Sequence, residues 1–387
     1  MRRLSDFNFQ GKKVLVRCDF NVPLNEKGQI AKRTSSSSLS SLPSEPKILD
    51  DFRIRQSIPT IEYLIKNGAK VILVSHLGRP KGKFVKKFSL RPVAKRLGKL
   101  LKRKVHPVKS AKGGAAKPQF NRVKFLPDCI GKKVEKAIER MKSGEVVLLE
   151  NLRFYKEEEE NDQNFAKSLA QLADIFINDA FSVCHRSHAS VVGITKYLPS
   201  GAGILLEKEI KALSQIMKNP KRPLVVIIGG KKVEDKAKVV ENFSQTADFV
   251  LTGGLVAKEI KKGKIKIRSL SKVFFPLDSK DNFDIGQKTI KIFREKIQKA
   301  KTIFWAGPLG KIEDRKYQRG TKEIARAILK SQAFSVVGGG DTIEFINRIG
   351  LAEKFDHLSI GGGAMLEFLA GQKLPGLKAL KYGDKES

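Results

Sequence analysis

The most constraining feature of this sequence is the stretch FSVVGGGDTIEF at residues 334–345. It predicts a buried strand at residues 334–337, a three-glycine turn and then a helix. Such a turn leaves backbone N–H groups unpaired and directs the positive end of the helix dipole at one point, which favours a phosphate. We expect Asp341 at the N-cap, where its carboxylate would either cap the helix or hold Mg²⁺ beside that phosphate. Taken alone, the segment is explained equally well as a simple strand-to-helix turn.

The same arrangement of a short apolar strand and a polar or glycine-rich loop recurs along the chain. We predict strands at residues 13–17, 70–75, 146–150, 175–178, 224–228, 249–251, 302–305, 334–337 and 357–360. Helices are predicted between some of them, at residues 54–67, 164–173 and 207–217. Alternation of strands and helices indicates parallel α/β sheets, which place their ligands at the carboxyl ends of the strands.

The loops after the strands differ between the two halves of the chain. In the first half they carry charged or amide side chains, namely Asp19, Asn21, His76, Arg79, Arg153 and Arg186. In the second half they carry glycines, as in IIGGKK, LTGGL, WAGPLG and VVGGGDT. Arginine suits a small phosphorylated acid, whereas glycine backbone suits a nucleotide. Each first-half residue, taken singly, is also compatible with an ordinary turn, ion pair or loop histidine.

Length and composition limit the class of protein. A chain of 387 residues is long enough for two α/β domains. Its apolar runs have the length of strands, so we expect no membrane span. The N-terminal sequence MRRLSDFNFQ lacks the apolar stretch of a secretion signal, and three cysteines without CxxC spacing fit free thiols, so we expect a cytoplasmic protein. Neither the GxxxxGK[ST] nor the GxGxxG nucleotide motif occurs.

The formal net charge of +36 predicts attraction to polyanions such as nucleic acid. No aromatic RNA-recognition motif, zinc-ligand spacing or basic zipper accompanies it, so a solvated basic surface is the favoured interpretation. Residues 31–47 form a serine-rich insert that we expect to be disordered. Residues 99–124 contain nine Lys or Arg and no acidic residue, which fits either a polyanion-binding loop or a solvated surface excursion.

Ten motifs, read in order, carry a resemblance to a known family. They are VLVRCDFNVPL, DDFRIRQSIPTIEYL, VSHLGRPKG, LLENLRF, DAFSVCHRSHAS, IIGGKKVEDK, DIGQKT, WAGPLG, GGGDT and SIGGGAMLEFLAGQKLPG. Together they resemble the phosphoglycerate kinases over nearly the whole chain. No single motif decides this, but ten in sequence leave little room for coincidence.

The resemblance implies two Rossmann-like parallel-sheet domains joined by a hinge, with an interdomain cleft. Residues 1–200 would bind 3-phosphoglycerate and carry inserts at about 31–47 and 104–122. An interdomain helix at 201–219, a nucleotide-binding domain at 220–370 and a C-terminal tail at 371–387 would follow. The implied reaction is reversible, Mg²⁺-dependent phosphoryl transfer from 1,3-bisphosphoglycerate to ADP, giving ATP and 3-phosphoglycerate, in a monomer that does not bind membranes.

The resemblance also implies two sets of site residues. The acid-binding set is Asp19, Asn21, Arg53, His76, Leu77, Gly78, Arg79, Arg153 and Arg186. The nucleotide-binding set is Gly229, Gly230, Lys232, Lys236, Gly253, Gly254, Gly286, Glu313, Gly338, Gly339, Gly340, Asp341 and Thr342, with Asp341 on Mg²⁺. Phosphoryl transfer needs in-line placement and positive charge around the migrating group, and Arg53 and Lys232 are the expected catalytic clamp. No general base is expected, because the attacking ADP oxygen is already ionised.

Four features depart from the family pattern. Ala306 stands where the family usually has Asn, and Ile360 replaces a hydroxyl residue; each change costs about 1 kcal/mol of ligand binding if a polar group is left unpaired. The region at 253–275 is short, which bears on the adenine pocket, and the serine-rich insert immediately precedes Arg53. The alternative function is a catalytically weak relative that binds polyanions such as RNA.

Overall fold

The computed structural model describes residues 1–24, 48, 50–102, 123–231 and 233–382. Three of the sequence predictions therefore lie outside the described residues. These are the serine-rich insert at 31–47, residues 103–122 of the basic segment, and Lys232.

The chain divides into two compact units. The first unit comprises Met1–Glu207 with Pro375–Ser387, and the second comprises Lys208–Leu374. The helix Ile204–Lys218 contributes residues to both. Segment Pro375–Ala379, which the sequence placed in a tail, is helical and belongs to the first unit.

The first unit is built on a six-stranded parallel sheet with the order β3-β4-β2-β1-β5-β6. The strands are β1 Lys13–Arg17, β2 Lys70–Val74, β3 Lys124–Phe125, β4 Val146–Leu148, β5 Ile175–Asn178 and β6 Ser200–Ala202. The helices between and after these strands are α1 Phe52–Lys66, α2 Arg91–Lys102, α3 Lys132–Glu139, α4 Lys156–Glu159, α5 Gln163–Ala170 and α6 Ile204–Lys218.

The central strands of this sheet have apolar interiors because both faces are covered. In β1, Val14 and Val16 point into one core cluster and Leu15 into the other, as the two-residue period of a strand requires. Burial of both faces explains why the sequence KVLVR has no polar alternation. Its last residue, Arg17, is a charged side chain with no exposure.

The second unit contains a six-stranded parallel sheet, with the order β14-β13-β12-β7-β8-β9, and a two-stranded antiparallel ribbon, β10-β11. Its strands are β7 Leu224–Ile228, β8 Phe249–Thr252, β9 Val273–Phe274, β10 Ser279–Lys280, β11 Asp284–Ile285, β12 Thr302–Ala306, β13 Phe334–Gly338 and β14 His357–Ser359. Its helices are α7 Val233–Thr246, α8 Gly254–Lys261, α9 Gln287–Lys299, α10 Arg319–Ser331, α11 Gly340–Arg348 and α12 Gly363–Leu369; α13 Pro375–Ala379 follows in the first unit.

These two sheets confirm the predicted α/β class with two parallel-sheet domains. Strands 13–17, 175–178 and 224–228 have the predicted limits. The finer domain limits expected from the resemblance stay predictions. Among the described residues, no helix has both the length and the apolar character needed to cross a membrane.

One local prediction is wrong. Helix α11 begins at Gly340, and its N-cap is Gly339 rather than Asp341. Gly339 has a φ of 92°, which a glycine adopts without strain, so the chain turns into the helix before it reaches the carboxylate. Asp341 therefore lies in the first helical turn, and its side chain makes no capping hydrogen bond.

Each six-stranded sheet reverses its order at one point, which is where open α/β sheets bind ligands. In the first unit the reversal lies between β1 and β5, and in the second it lies between β7 and β12. The loops that follow these four strands carry part of the predicted site, namely Asp19, Asn21, Arg186, Gly229, Gly230 and Glu313.

Candidate active site

Asp19 is the centre of the first unit's site. Its carboxylate is buried and accepts hydrogen bonds from the Ser182 hydroxyl at 2.6 Å and from the Asn21 N–H at 3.1 Å. The Arg53 guanidinium forms an ion pair with it. Asp19 follows β1, Ser182 follows β5 and Arg53 lies on α1, so the reversal of strand order brings the three together. The carboxylate thus holds the guanidinium in place.

A second group is organised around Gly78, in the loop after β2. Its N–H donates to Asn21 Oδ1 at 2.9 Å, and its carbonyl accepts from Arg153 Nη1 at 3.0 Å. Gly78 has a φ of 65°, and a side chain there would collide with the Phe88 ring. Arg153 also pairs with Glu159, its Nε lying 3.2 Å from Oε1, while burial lowers the pKa of the guanidinium. Two predicted ligands, Asn21 and Arg153, are thereby tied to one backbone unit.

His76 is buried beside Arg17, whose Nη2 lies 3.3 Å from Nδ1 of the imidazole. Burial, followed by the charge of Arg17, lowers the pKa of His76 well below its ordinary value. The imidazole is therefore neutral near pH 7. The following residue, Leu77, accepts a hydrogen bond from Asn151 Nδ2 at its carbonyl oxygen, at 2.7 Å.

Arg79 and Arg186 complete the predicted acid-binding set, and both are exposed. Neither side chain makes a hydrogen bond to another of the described residues. The site therefore combines cations held by neighbouring groups of the unit with cations that are exposed for a ligand. Such a combination suits a small molecule carrying several negative charges.

In the second unit, backbone from three neighbouring strand ends meets at the reversal between β7 and β12. Gly229 N–H donates to the Ala306 carbonyl at 2.9 Å, and Gly307 N–H donates to Thr342 Oγ1 at 3.0 Å. The Lys236 ammonium donates to the Gly229 carbonyl. These bonds connect the loops after β7, β12 and β13.

The glycine cradle, as we call the joined loops after β7, β12 and β13, leaves no room for a side chain at Gly229 or Gly307. A Cβ on Gly229 would lie 2.9 Å from the Pro308 carbonyl carbon and closer still to its oxygen. A Cβ on Gly307 would collide with the Gly229 carbonyl. Because the obstacles are backbone atoms, they cannot rotate away. The glycines are thus required by close approach of the chain, and the resulting surface is made of peptide groups beside helix N-termini.

A cleft of about 440 Å³ opens next to the cradle. Three exposed apolar side chains, Leu255, Leu277 and Phe283, line it. Four predicted nucleotide residues also line it: Gly230, Gly254, Glu313 and Asp341. An apolar cleft with a few polar groups at one end suits a flat organic base attached to a polar group.

Glu313 is paired with Lys231 at the rim of this cleft, with 2.9 Å between Oε1 and Nζ. The Glu313 carboxylate raises the pKa of Lys231, and Lys231 lowers the pKa of Glu313. Both side chains are more than half exposed, so the pair exchanges readily with solvent and ligands.

The other predicted nucleotide residues are not among those that line the cleft. They are Gly229, Lys236, Gly253, Gly286, Gly338, Gly339, Gly340 and Thr342. Gly253 and Gly286 are the N-caps of α8 and α9, and Gly339 is the N-cap of α11. The predicted set therefore separates into a lining group and a group that shapes the turns behind it. Lys232 is outside the described residues.

The sequence prediction missed several residues at both sites. Ser182 and Arg17 contact predicted ligands in the first unit, while Leu277, Phe283 and Lys231 line the cleft in the second. Arg17 could have been noticed as a charge that directly follows the apolar run VLV of β1. The three cleft residues lie in irregular segments, where no periodicity marks them.

The two residues that depart from the family pattern, Ala306 and Ile360, both lie in the second unit. Ala306 ends β12, where its carbonyl accepts the Gly229 N–H. Ile360 is buried, and its N–H donates to Glu209 Oε1 at 2.8 Å. The short region after Gly253 still supplies Leu255, Ala257 and Lys258 to the cleft.

Comparison with known proteins identifies the family. The family model described as phosphoglycerate kinase matches residues 39–268 and 262–372. Curated phosphoglycerate kinases of Coprothermobacter proteolyticus and Dictyoglomus turgidum are 41% and 42% identical to the chain, each over 98% of both sequences.

Solved structures agree with the sequence comparisons. The crystal structure of phosphoglycerate kinase from Pyrococcus horikoshii has a TM-score of 0.82 at 33% identity and covers 100% of both chains. The structure of phosphoglycerate kinase from Coxiella burnetii has a TM-score of 0.76 at 32% identity, over 98% of both chains. The chain therefore belongs to the phosphoglycerate kinase family and is a glycolytic phosphotransferase with a carboxyl group as acceptor.

Proposed function

We propose that each unit binds one substrate of the family reaction. The first unit would bind 3-phosphoglycerate or 1,3-bisphosphoglycerate, and the second would bind ADP or ATP with Mg²⁺. The observation that carries this assignment is the contrast between the two reversals of strand order. Charged side chains meet at one, whereas glycine backbone and an apolar cleft meet at the other.

The acid site would work by charge and by hydrogen bonding. The exposed Arg79 and Arg186 are suited to the phosphate, which matches the fork of a guanidinium. Asn21 and Arg153, tied together through Gly78, add an amide and a second guanidinium in fixed positions. Such preorganisation lowers the cost of ordering the site when the ligand binds.

Arg53 would be the catalytic residue supplied by the first unit. Its ion pair with buried Asp19 orients the guanidinium, and its side chain is 27% exposed, so the group is held but remains accessible. Positive charge placed on the equatorial oxygens of a migrating phosphoryl group stabilises the transition state without any covalent step. Lys232 is the corresponding proposal for the second unit, although it lies outside the described residues.

The second unit would hold the base in the apolar cleft and the phosphates at the glycine cradle. Leu255, Leu277 and Phe283 offer apolar contact to a flat base, and Glu313 offers a carboxylate at the rim. The N-termini of α8 and α11 follow Gly253 and Gly339 and would present peptide N–H groups to the phosphates. The cradle would thus bind phosphates through backbone rather than through side chains.

Asp341 fits the role of Mg²⁺ ligand. Its carboxylate is exposed in the cleft lining and accepts no hydrogen bond from any other described residue. Among the described residues there is no group of three or more His, Cys, Asp or Glu that would hold a metal ion. Mg²⁺ usually binds through one or two carboxylates and substrate phosphates, so one carboxylate beside a phosphate cradle is sufficient. The bound ion would neutralise charge on the phosphates.

The decisive experiment measures Mg²⁺- and ATP-dependent phosphorylation of 3-phosphoglycerate by the purified chain, coupled to reduction of the product. We expect turnover, and we expect it to be lost in Arg53→Ala but retained in Arg55→Ala. Arg55 is a matched control, because it lies on the same helix, is exposed and pairs with Asp51 at 2.7 Å. A folded protein that binds ADP but transfers no phosphoryl group would contradict the proposal.

We also propose a monomeric, cytoplasmic enzyme. The three cysteines are buried and none of them forms a disulfide, which fits a reducing compartment. Light scattering coupled to size-exclusion chromatography tests the monomer, and a dimer mass would overturn it. Polyanion binding, the alternative prediction, draws on the net charge of +36 and on residues 99–124. It stays a prediction, because residues 103–122 of that segment lie outside the described part of the chain.

A further inference from the structure

Arg17 is a fully buried arginine whose donors are directed to three different partners. It ends β1, and its side chain has no exposure. Its Nε donates to Ser190 Oγ at 2.9 Å and its Nη1 to the Cys18 carbonyl at 2.7 Å. Its Nη2 lies 3.3 Å from Nδ1 of His76. A guanidinium in such surroundings has a fixed orientation.

Glu158 and Ser190 hold Arg17 in that orientation. The Glu158 carboxylate is fully buried, lies 3.9 Å from Arg17 Nη2, and accepts the Ser190 hydroxyl at 2.6 Å and the Ser190 N–H at 2.9 Å. Ser190 therefore accepts from Arg17 and donates to Glu158, which completes a closed network. Burial lowers the pKa of Arg17, while the Glu158 charge opposes that shift.

The contact with His76 restricts where the imidazole carries its proton. A guanidinium has only donors, so the nitrogen that faces it must offer a lone pair. Nδ1 of His76 is then the acceptor, and the proton of the neutral ring resides on Nε2. A proton on Nδ1 would instead place two N–H groups against each other. Among the described residues, Nε2 has no hydrogen-bond partner, so its N–H is available to a ligand.

We propose that Arg17 is a positioning residue that fixes His76 as the neutral tautomer with its proton on Nε2, ready to donate to the acid substrate. The inference deepens the proposed acid site and rests on it for the identity of the ligand. His76 would then add a hydrogen-bond donor without adding a fifth charge to the four arginines of that site. The low pKa of His76, caused first by burial, agrees with a neutral ring.

The competing explanation is purely structural. Arg17 and Glu158 form a buried ion pair, and a buried charge that loses its partner destabilises the fold. Under that explanation Arg17 serves Glu158 alone, and the tautomer of His76 is incidental. The two explanations differ in what happens to His76 when both charges are removed together.

The first test uses the unmodified protein without ligand. Histidine labelled with ¹⁵N reports the tautomer directly, because a protonated ring nitrogen and an unprotonated one have well-separated chemical shifts. The chain has five histidines, and His76→Gln assigns the signal of interest. At pH 7.5 we expect Nδ1 of His76 to be unprotonated and Nε2 to be protonated. A ring protonated on Nδ1, or on both nitrogens, overturns the proposal.

The second test compares Glu158→Gln with the double variant Glu158→Gln/Arg17→Met, in which no unpaired buried charge remains. We expect the double variant to shift the Nδ1 signal toward the protonated range. We also expect its KM for 3-phosphoglycerate to rise about tenfold over Glu158→Gln, the loss typical of one hydrogen bond to a charged group, with the KM for ADP unchanged. Arg140→Met, at the exposed arginine that is the C-cap of α3, is the control.

Each outcome of this comparison decides the matter. An unchanged His76 signal with an unchanged acid KM supports the structural explanation and overturns ours. If the double variant does not fold, Ser190→Ala replaces it, since it keeps both charges but removes the acceptor that orients Arg17 Nε; an unchanged Nδ1 signal there also overturns the proposal. The tautomer is measured without turnover, so failure of the proposed function would be recognised separately, as an inactive enzyme with the expected tautomer.

Discussion

The candidate anion sites of the two units are built in contrasting ways. The first unit surrounds its site with charged side chains, two of which are held by other groups of the unit: Arg53 by the buried Asp19 carboxylate and Arg153 by the Gly78 carbonyl. The second unit uses peptide groups at a glycine cradle and an apolar cleft beside it. Both lie at a reversal of strand order, so similar sheets support different chemistry.

The difference shows where each kind of site is vulnerable. A buried charge must keep its partner, so a side-chain site depends on groups behind it that never touch the ligand. A backbone site depends on empty space, so it fails when an atom is added rather than removed. Truncation should therefore damage the first unit, and enlargement should damage the second.

The largest effect that we expect comes from truncation in the first unit. Arg53→Ala should lower kcat by about a thousandfold, because an arginine that neutralises the migrating phosphoryl group contributes on that scale. The KM for ADP should change little. Steady-state kinetics of the variant and of Arg55→Ala provide the measurement. A defect confined to ADP binding would remove Arg53 from the catalytic role.

Enlargement in the second unit should have the next largest effect. Gly229→Ala adds a Cβ against the Pro308 carbonyl, so we expect the KM for ADP to rise about thirtyfold, equivalent to about 2 kcal/mol of overpacking. The KM for 3-phosphoglycerate should be unchanged. Gly98→Ala is the control, since its Cβ would make an ordinary 3.5 Å contact with Val123 N. An unaltered KM for ADP in Gly229→Ala would show that the cradle tolerates side chains.

Removal of the exposed Asp341 carboxylate should be milder. Asp341→Ala should raise the free Mg²⁺ concentration needed for half-maximal activity by about tenfold, the scale typical of losing a partner at a metal site. Binding of metal-free ADP should not weaken. Titration of activity with Mg²⁺ tests this, with Glu344→Ala, an exposed carboxylate on the same helix, as control. If the Mg²⁺ dependence is the same in both variants, Asp341 is not the ligand.

The smallest effect that we expect is a loss of folding stability as the pH falls, and it arises in the first unit. Burial lowers the pKa of His188 from 6.5 to about 3. The unfolded state therefore binds a proton at a higher pH than the folded state does. Stability is then fully present above the unfolded pKa and is lost as the pH falls below it. We expect His188 to account for a loss of about 0.8 kcal/mol between pH 7.5 and 6.

The control for this prediction is His188→Gln, which removes the titrating group. The free energy of unfolding, measured with denaturant at both pH values, should fall more in the wild type than in the variant. Equal losses would mean that His188 keeps an ordinary pKa.

Much of the fold was predictable because each sheet strand is a short apolar run followed by a turn signal. Strands such as residues 13–17 and 224–228 were therefore located to the residue. The N-cap of α11 was misplaced by two positions, since three consecutive glycines leave the start of the helix to backbone dihedral angles that composition does not reveal. Propensity alone could not separate Gly339 from Asp341.

The candidate sites were less predictable, for a physical reason. The hydrogen bond between Ser182 and Asp19 joins residues 163 positions apart, and only the strand order brings them together. Leu277 and Phe283 line the cleft from irregular segments, where no period marks the buried side. The positions of the charged and glycine residues at strand ends could be predicted, because they follow from the strands. Their supporting partners could not be predicted in this way.

The place of the last helix has a consequence for synthesis of the chain on the ribosome. Gly376, in α13, donates its N–H to the Cys184 carbonyl at 2.8 Å and has no room for a side chain against Val191 and Cys184. The unit that begins first is therefore completed last, after all residues of the second unit have been translated. Domains generally fold as they emerge. Here all of the second unit emerges before α13 does. At that stage the first unit still lacks its final helix, and Cys184 and Val191 are uncovered.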